Sequence, residues 1–177
     1  MTWTSYHRRG EVLSAAIATA NARGDGLLPT DVAGVATAFR DELDLLGALQ
    51  LRWHTRLSGR IDGALGQQPL DLESAVVAAW VATARQMPGV RAVLDRALAE
   101  GVDAEADRLL GNAIAKERMM LAAMAGRSSY DDAAAVVVGA GIEERARAAY
   151  AAGPDLVDDE PARPAGLLER LRSALSA

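Results

Sequence analysis

Apolar residues recur along this chain at intervals of three and four, and no stretch shows the strict alternation of a half-buried strand. The pattern predicts helices throughout. A first helix spans residues 5–23, with Tyr6, Leu13, Ile17 and Ala20 on one face and Gly24 ending it. Pro29, Thr30 and Asp31 open a long second helix over 31–65, whose stripe includes Val32, Val35, Phe39, Leu43, Leu46, Leu49, Trp53, Leu57 and Ile61. A stripe sustained over that length marks a central packing element. Gly66 and Pro69 close it.

Asp71 is an N-cap for a third helix that turns Leu72, Val76, Ala79, Thr83 and Met87 to one side. Pro88-Gly89 breaks or kinks this helix, and a short continuation over 90–100 ends at Gly101. Asp103 caps a fourth helix reaching about residue 125, and Ser129 with Asp132 forms a capping box for a fifth that ends near residue 152. The expected fold is all-α: a single bundle of about five main helices around the 31–65 helix, occupying residues 1–152. Residues 153–166, with three prolines and four acids, read as an extended linker. Residues 167–177 then form a short amphipathic helix whose apolar edge is Leu168, Leu171 and Leu175. So short a helix is marginal on its own in water and needs a surface. That surface is either its own bundle or a groove on another protein, which makes these leucines the candidate partner-binding residues.

Composition changes the picture in three places. Half of the 177 residues are apolar but only 4% are aromatic, and 38 are alanine, so the core is built from small side chains. There is no cysteine, which removes disulfides, thiol catalysis, iron–sulfur clusters and Cys-based zinc sites. The net charge of −5 argues against a general binder of phosphate backbones. That argument is softened because Asp155, Asp158, Asp159 and Glu160 all fall in the linker and leave the bundle close to neutral. No uncharged run approaches the roughly 20 residues needed to cross a bilayer, and the N-terminus lacks a signal-peptide core, so the expected location is cytoplasmic, without a membrane.

Candidate chemistry comes from projecting each helix at about 100° per residue. Glu42 falls beside the apolar stripe of the long helix, Gln50 within it, and His54 along its border. Glu117 lies near the centre of the fourth helix's stripe, and Arg145 projects among Val138, Ile142 and Ala149 of the fifth. A buried charge must be paired, hydrogen-bonded or neutralised. One reading is a Glu117–Arg145 pair that fixes the register of an otherwise smooth Ala/Leu core. The other is a small-ligand or carboxylate-metal site lined by Glu42, Gln50, His54, Glu117 and Arg145. A ferritin-like version fits poorly, because Leu45 and Met120 stand where Glu-x-x-His pairs need histidine. His54 also lies about 18 Å along a helix from Glu42. No cofactor is expected, and the metal of such a site is undefined.

Arg52, Trp53, His54, Arg56 and Arg60 look like a nucleic-acid patch, yet Trp53 projects inward, so a solvated basic face is the better reading and nucleic acid is not the expected partner. Gly139-Ala140-Gly141 lacks the third glycine of a dinucleotide loop and suits a close helix–helix approach instead. The segments from Arg8 to Leu13 and from Phe39 to Gln50 resemble helical proteins of actinobacteria that carry no assigned activity, so the resemblance transfers no site residue. With no catalytic set in the sequence, the expected function is that of a non-enzymatic interaction or accessory protein. It would bind a protein partner, or self-associate, through its helical surface and C-terminal helix.

Overall fold

A computed structural model describes residues 3–101, 103–128 and 134–153. These residues fold into seven helices: α1 (Trp3–Arg23), α2 (Val35–Ala38), α3 (Glu42–Leu65), α4 (Leu72–Gln86), α5 (Pro88–Glu100), α6 (Ala104–Met124) and α7 (Ala135–Ala151). The all-α bundle predicted from periodicity is what forms, and no strand occurs among the described residues. The predicted capping box at Ser129 and Asp132, and everything from residue 154 onward, lie outside the described residues. That includes Leu168, Leu171 and Leu175.

The central helix is shorter than its apolar stripe suggested. Gly34 takes a positive φ of 89°, Phe39 is extended, and the single turn of α2 lies between them. Asp41 then caps α3, its carboxylate accepting from the Asp44 N–H at 2.7 Å. Val35 and Phe39 are nevertheless buried, because the turn and the extended residue fold back onto the same core. The 31–65 stripe is therefore one hydrophobic surface made from two elements.

The rest of the core follows the sequence closely. Leu45, Leu49, Trp53, Leu57 and Ile61 of α3 are fully buried. They join Val76, Trp80 and Ala84 of α4, Val90 and Leu94 of α5, Leu110 and Leu121 of α6, and Ile142 and Ala146 of α7 in one cluster. Asp71 and Asp103 cap α4 and α6 as expected, accepting from Ser74 N–H at 3.1 Å and from Ala106 N–H at 2.8 Å. Pro88 occupies the first turn of α5, where the missing N–H costs nothing.

Two helix crossings depend on the absence of a side chain. A Cβ on Gly89 would sit 1.9 Å from the Ala20 carbonyl oxygen, and one on Gly139 would sit 1.9 Å from that of Arg118. The α1–α5 and α6–α7 contacts are thus backbone-to-backbone, as the Gly139-Ala140-Gly141 run suggested for the second. Asn21 uses the first crossing to cap α5 from outside, its Oδ1 accepting from the Gly89 N–H at 2.9 Å.

Candidate functional site

The polar interior is organised around Glu117. Glu117 is 4% exposed and its carboxylate accepts from the Trp53 indole N–H at 2.9 Å, tying α6 to α3 at the centre of the bundle. Burial pushes the Glu117 carboxyl above the usual carboxylate range and the nearby Glu143 adds to this, while Arg91, the indole bond and His54 oppose it. Arg91 lies over the Trp53 ring with its guanidinium carbon 4.8 Å from the centroid. Its Nη2 bonds Asp95 at 3.0 Å, and its Nε is buried without a partner.

From Asp95 the charges alternate outward. Arg147 grips Asp95 with two hydrogen bonds of 2.8 and 3.1 Å and bonds Glu143 at 2.9 Å through Nε. Arg118 closes the chain on the other Glu143 oxygen at 2.8 Å. Burial works to raise the Glu143 carboxyl, but hydrogen bonds from Arg118 and Arg147 outweigh it, and the group is held below its ordinary range. Burial of Arg147 is likewise outweighed by Asp95 and Glu143, which push its guanidinium up. Trp53, Trp80 and Tyr150 stack edge to face along the same line, at 5.5 and 6.4 Å between centroids. Five helices contribute, so the network measures the register of α3 through α7 at once.

The residues singled out by helical projection divide sharply. Glu117 and Gln50 are buried as predicted, and His54 is half-buried close enough to act on Glu117 electrostatically. Glu42 is exposed: with α3 starting there, it occupies the first turn, where a carboxylate is favoured by the helix dipole. It borders a surface cavity of about 480 Å³ shared with Leu46, Arg96 and Ala106, and Glu117 is not among its walls. The expected common site of Glu42 and Glu117 is therefore not assembled.

Arg145 does not pair with Glu117 either. Its side chain is 53% exposed and meets Glu73 at 2.5 Å, on a carboxylate that also holds Arg127. The projection failed because α7 is apolar nearly all round: Val137 is 75% exposed while Gly139, Ile142 and Ala146 face inward. In so Ala- and Val-rich a helix, neighbouring apolar residues do not mark the buried side. The charges that α7 turns toward the network are Glu143 and Arg147, and helical projection singles out neither these nor Arg91, Asp95 and Arg118. A signal was present, since Arg91/Asp95 and Glu143/Arg147 both stand four apart in the sequence with opposite charge.

Two neighbouring grooves run along α3 where it faces α1, with Arg52 and Thr55 lining both. One, of about 750 Å³, is lined mainly by Leu13, Leu43, Ala48, Leu51 and Leu109, from α1, α3 and α6, and Leu51 is 66% exposed. Arg9 and Asp44 form its rim, with guanidinium–carboxylate contacts of 2.8 and 3.0 Å. The other, of about 970 Å³, lies between α1 and α3 and is lined by polar and basic side chains. The described residues contain no group of three or more His, Asp or Glu side chains placed to hold a metal ion, and no helix long and apolar enough to cross a membrane. No protein-family model, curated protein or solved structure matches this chain.

Proposed function

We propose that this chain is a non-enzymatic cytoplasmic accessory protein that recognises a protein partner through its helical surface, with the C-terminal amphipathic helix taking part. The observation that carries this reading is the apolar groove along α3, with Leu51 66% exposed at its edge. Its walls run from Leu43 to Thr55 on α3, about 18 Å or three helical turns. That is room for the apolar edge of one amphipathic helix, with the charged rim of Arg9, Arg40 and Glu105 left for its flanks. The occupant is a partner's amphipathic helix, and Leu168, Leu171 and Leu175 supply a second apolar contact. A carboxylate site built on Glu42 and Glu117 has no place in this reading, because the two residues stand in separate parts of the fold.

The test is a photo-crosslinking amino acid at position 51 of the full chain, in cells that express it naturally, with the same label at Val137 as the exposed control. The expected adduct is one protein, crosslinked through a helical segment from position 51 and not from 137. It should weaken when Ala48→Glu is introduced and when Leu171 is changed to Asp. An adduct to the chain's own C-terminal segment, or one insensitive to Ala48→Glu, would show that this surface is not where a partner binds.

A further inference from the structure

We infer that the second groove, between α1 and α3, binds a small multivalent oxyanion, a ligand whose neighbouring phosphoryl or carboxylate groups are held by Arg52, Arg56 and Arg60. These residues follow one another at intervals of four along one side of α3 and all line the groove. Successive guanidinium-bearing positions are thus about one turn apart, close to 6 Å, and the set spans about 12 Å. Like charges at this spacing repel and weaken a helix unless something neutralises them. Among the described residues no Asp or Glu lines this groove, and Arg52 and Arg56 are exposed with no ion pair to any of them. Most other arginines among the described residues are matched, as Arg9 is by Asp44, Arg96 by Glu100 and Arg145 by Glu73, whereas Arg8, Arg85 and Arg108 have no ion pair to a described residue but do not stand in such a row.

The surrounding groups suit an anion. Gln86 accepts from the Arg60 Nη2 at 2.9 Å and so orients that guanidinium, whose Nε has no hydrogen-bond partner. Asn21 has its Oδ1 engaged on the N–H of Gly89, so the groups it has left to offer are its two amide N–H donors. Gly59 and Gly63 leave the α3 wall bare, and a Cβ at either would meet nothing within 4 Å. A volume of about 970 Å³ admits a small molecule. Among the described residues no aromatic side chain lines the groove, and Trp53 is fully buried, so they offer no platform for stacking bases. That, with the net charge of −5, favours a small anion over a nucleic acid.

The experiment is isothermal titration of the full chain with inorganic tripolyphosphate, with citrate and with a single-stranded oligonucleotide, at low and moderate salt. Saturable one-to-one binding of tripolyphosphate or citrate is expected, and the tighter of the two assigns phosphoryl or carboxylate chemistry. Arg56→Gln should weaken it at least tenfold and the Arg52→Gln/Arg56→Gln double variant should abolish it. Gly59→Leu, which narrows the groove without touching charge, should weaken it comparably. Arg108→Gln, on an exposed part of α6 away from the groove, should have no effect. No saturable binding of either anion, binding indifferent to Arg56→Gln and Gly59→Leu, or a preference for the oligonucleotide over both anions would overturn the assignment.

Discussion

Replacing Glu117 separates two things that a buried carboxylate can do, accept a hydrogen bond and carry a charge. Glu117→Leu keeps most of the volume and removes the acceptor, leaving the Trp53 indole N–H buried in a site where it now has its only described partner at 2.9 Å. An orphaned buried donor costs about 1–3 kcal/mol. In a chain of this size each kcal/mol moves the melting temperature by about 2–4 °C, so Glu117→Leu should melt roughly 2–12 °C below the parent. Glu117→Gln retains an acceptor oxygen for the indole and should stay within about 1 kcal/mol at neutral pH.

The pH dependence has a definite sign. The folded-state carboxyl of Glu117 is raised, chiefly by burial, so across that window the folded chain holds a proton that the unfolded chain has released. Its contribution is fully present below the ordinary carboxylate range and is lost as pH rises through the raised folded value. Glu117→Gln cannot titrate. The stability difference between the two should therefore shift in favour of the variant as pH climbs from the ordinary carboxylate range through the raised folded value. Urea unfolding followed by tryptophan fluorescence reads this directly. A Glu117→Leu chain as stable as the parent would refute the reasoning about the indole bond. A parent-to-Gln difference flat in pH would refute the reasoning about charge.

Other expectations rest on separate features. Gly89→Ala and Gly139→Ala each place a Cβ 1.9 Å from a backbone carbonyl oxygen and should cost about 1–3 kcal/mol or more in thermal or urea unfolding. Gly10→Ala, with nothing within 4 Å, should instead gain about 0.5–1 kcal/mol, and equal effects at all three positions would contradict the close crossings. Hydrogen bonding from Arg9 holds the Asp44 carboxyl down at about 2, so the stability it supplies is present at neutral pH and lost as pH falls from its ordinary value toward 2. Asp44→Asn should destabilise by about 1 kcal/mol at pH 7, a modest figure because Arg9 is about a third exposed, and should flatten that acid limb of the stability curve.

The sequence by itself determined the helical class, the buried stripe of α3 and the caps at Asp71 and Asp103, because these depend on contacts three or four residues apart. It also marked Glu117 and Gln50 as interior and the break at Pro88-Gly89. Tertiary structure decided where local signals were ambiguous or satisfied at a distance. The 31–41 segment keeps helical apolar spacing yet folds as one turn and an extended residue, since the core accepts Val35 and Phe39 from either geometry. Glu42 left the interior once the helix began beside it. Arg145 projects inward on spacing alone because alanine and valine cover both sides of α7, and side chains so small define no face until a neighbouring helix chooses one. What chose is the approach at Gly139, which turns Glu143 and Arg147 inward and completes a charge network across α5, α6 and α7. The arginine stripe at 52, 56 and 60 was legible all along. That α1 leaves a groove beside it lined by no described carboxylate belongs to the packing alone, because an arginine's partner is fixed by which helix lies opposite.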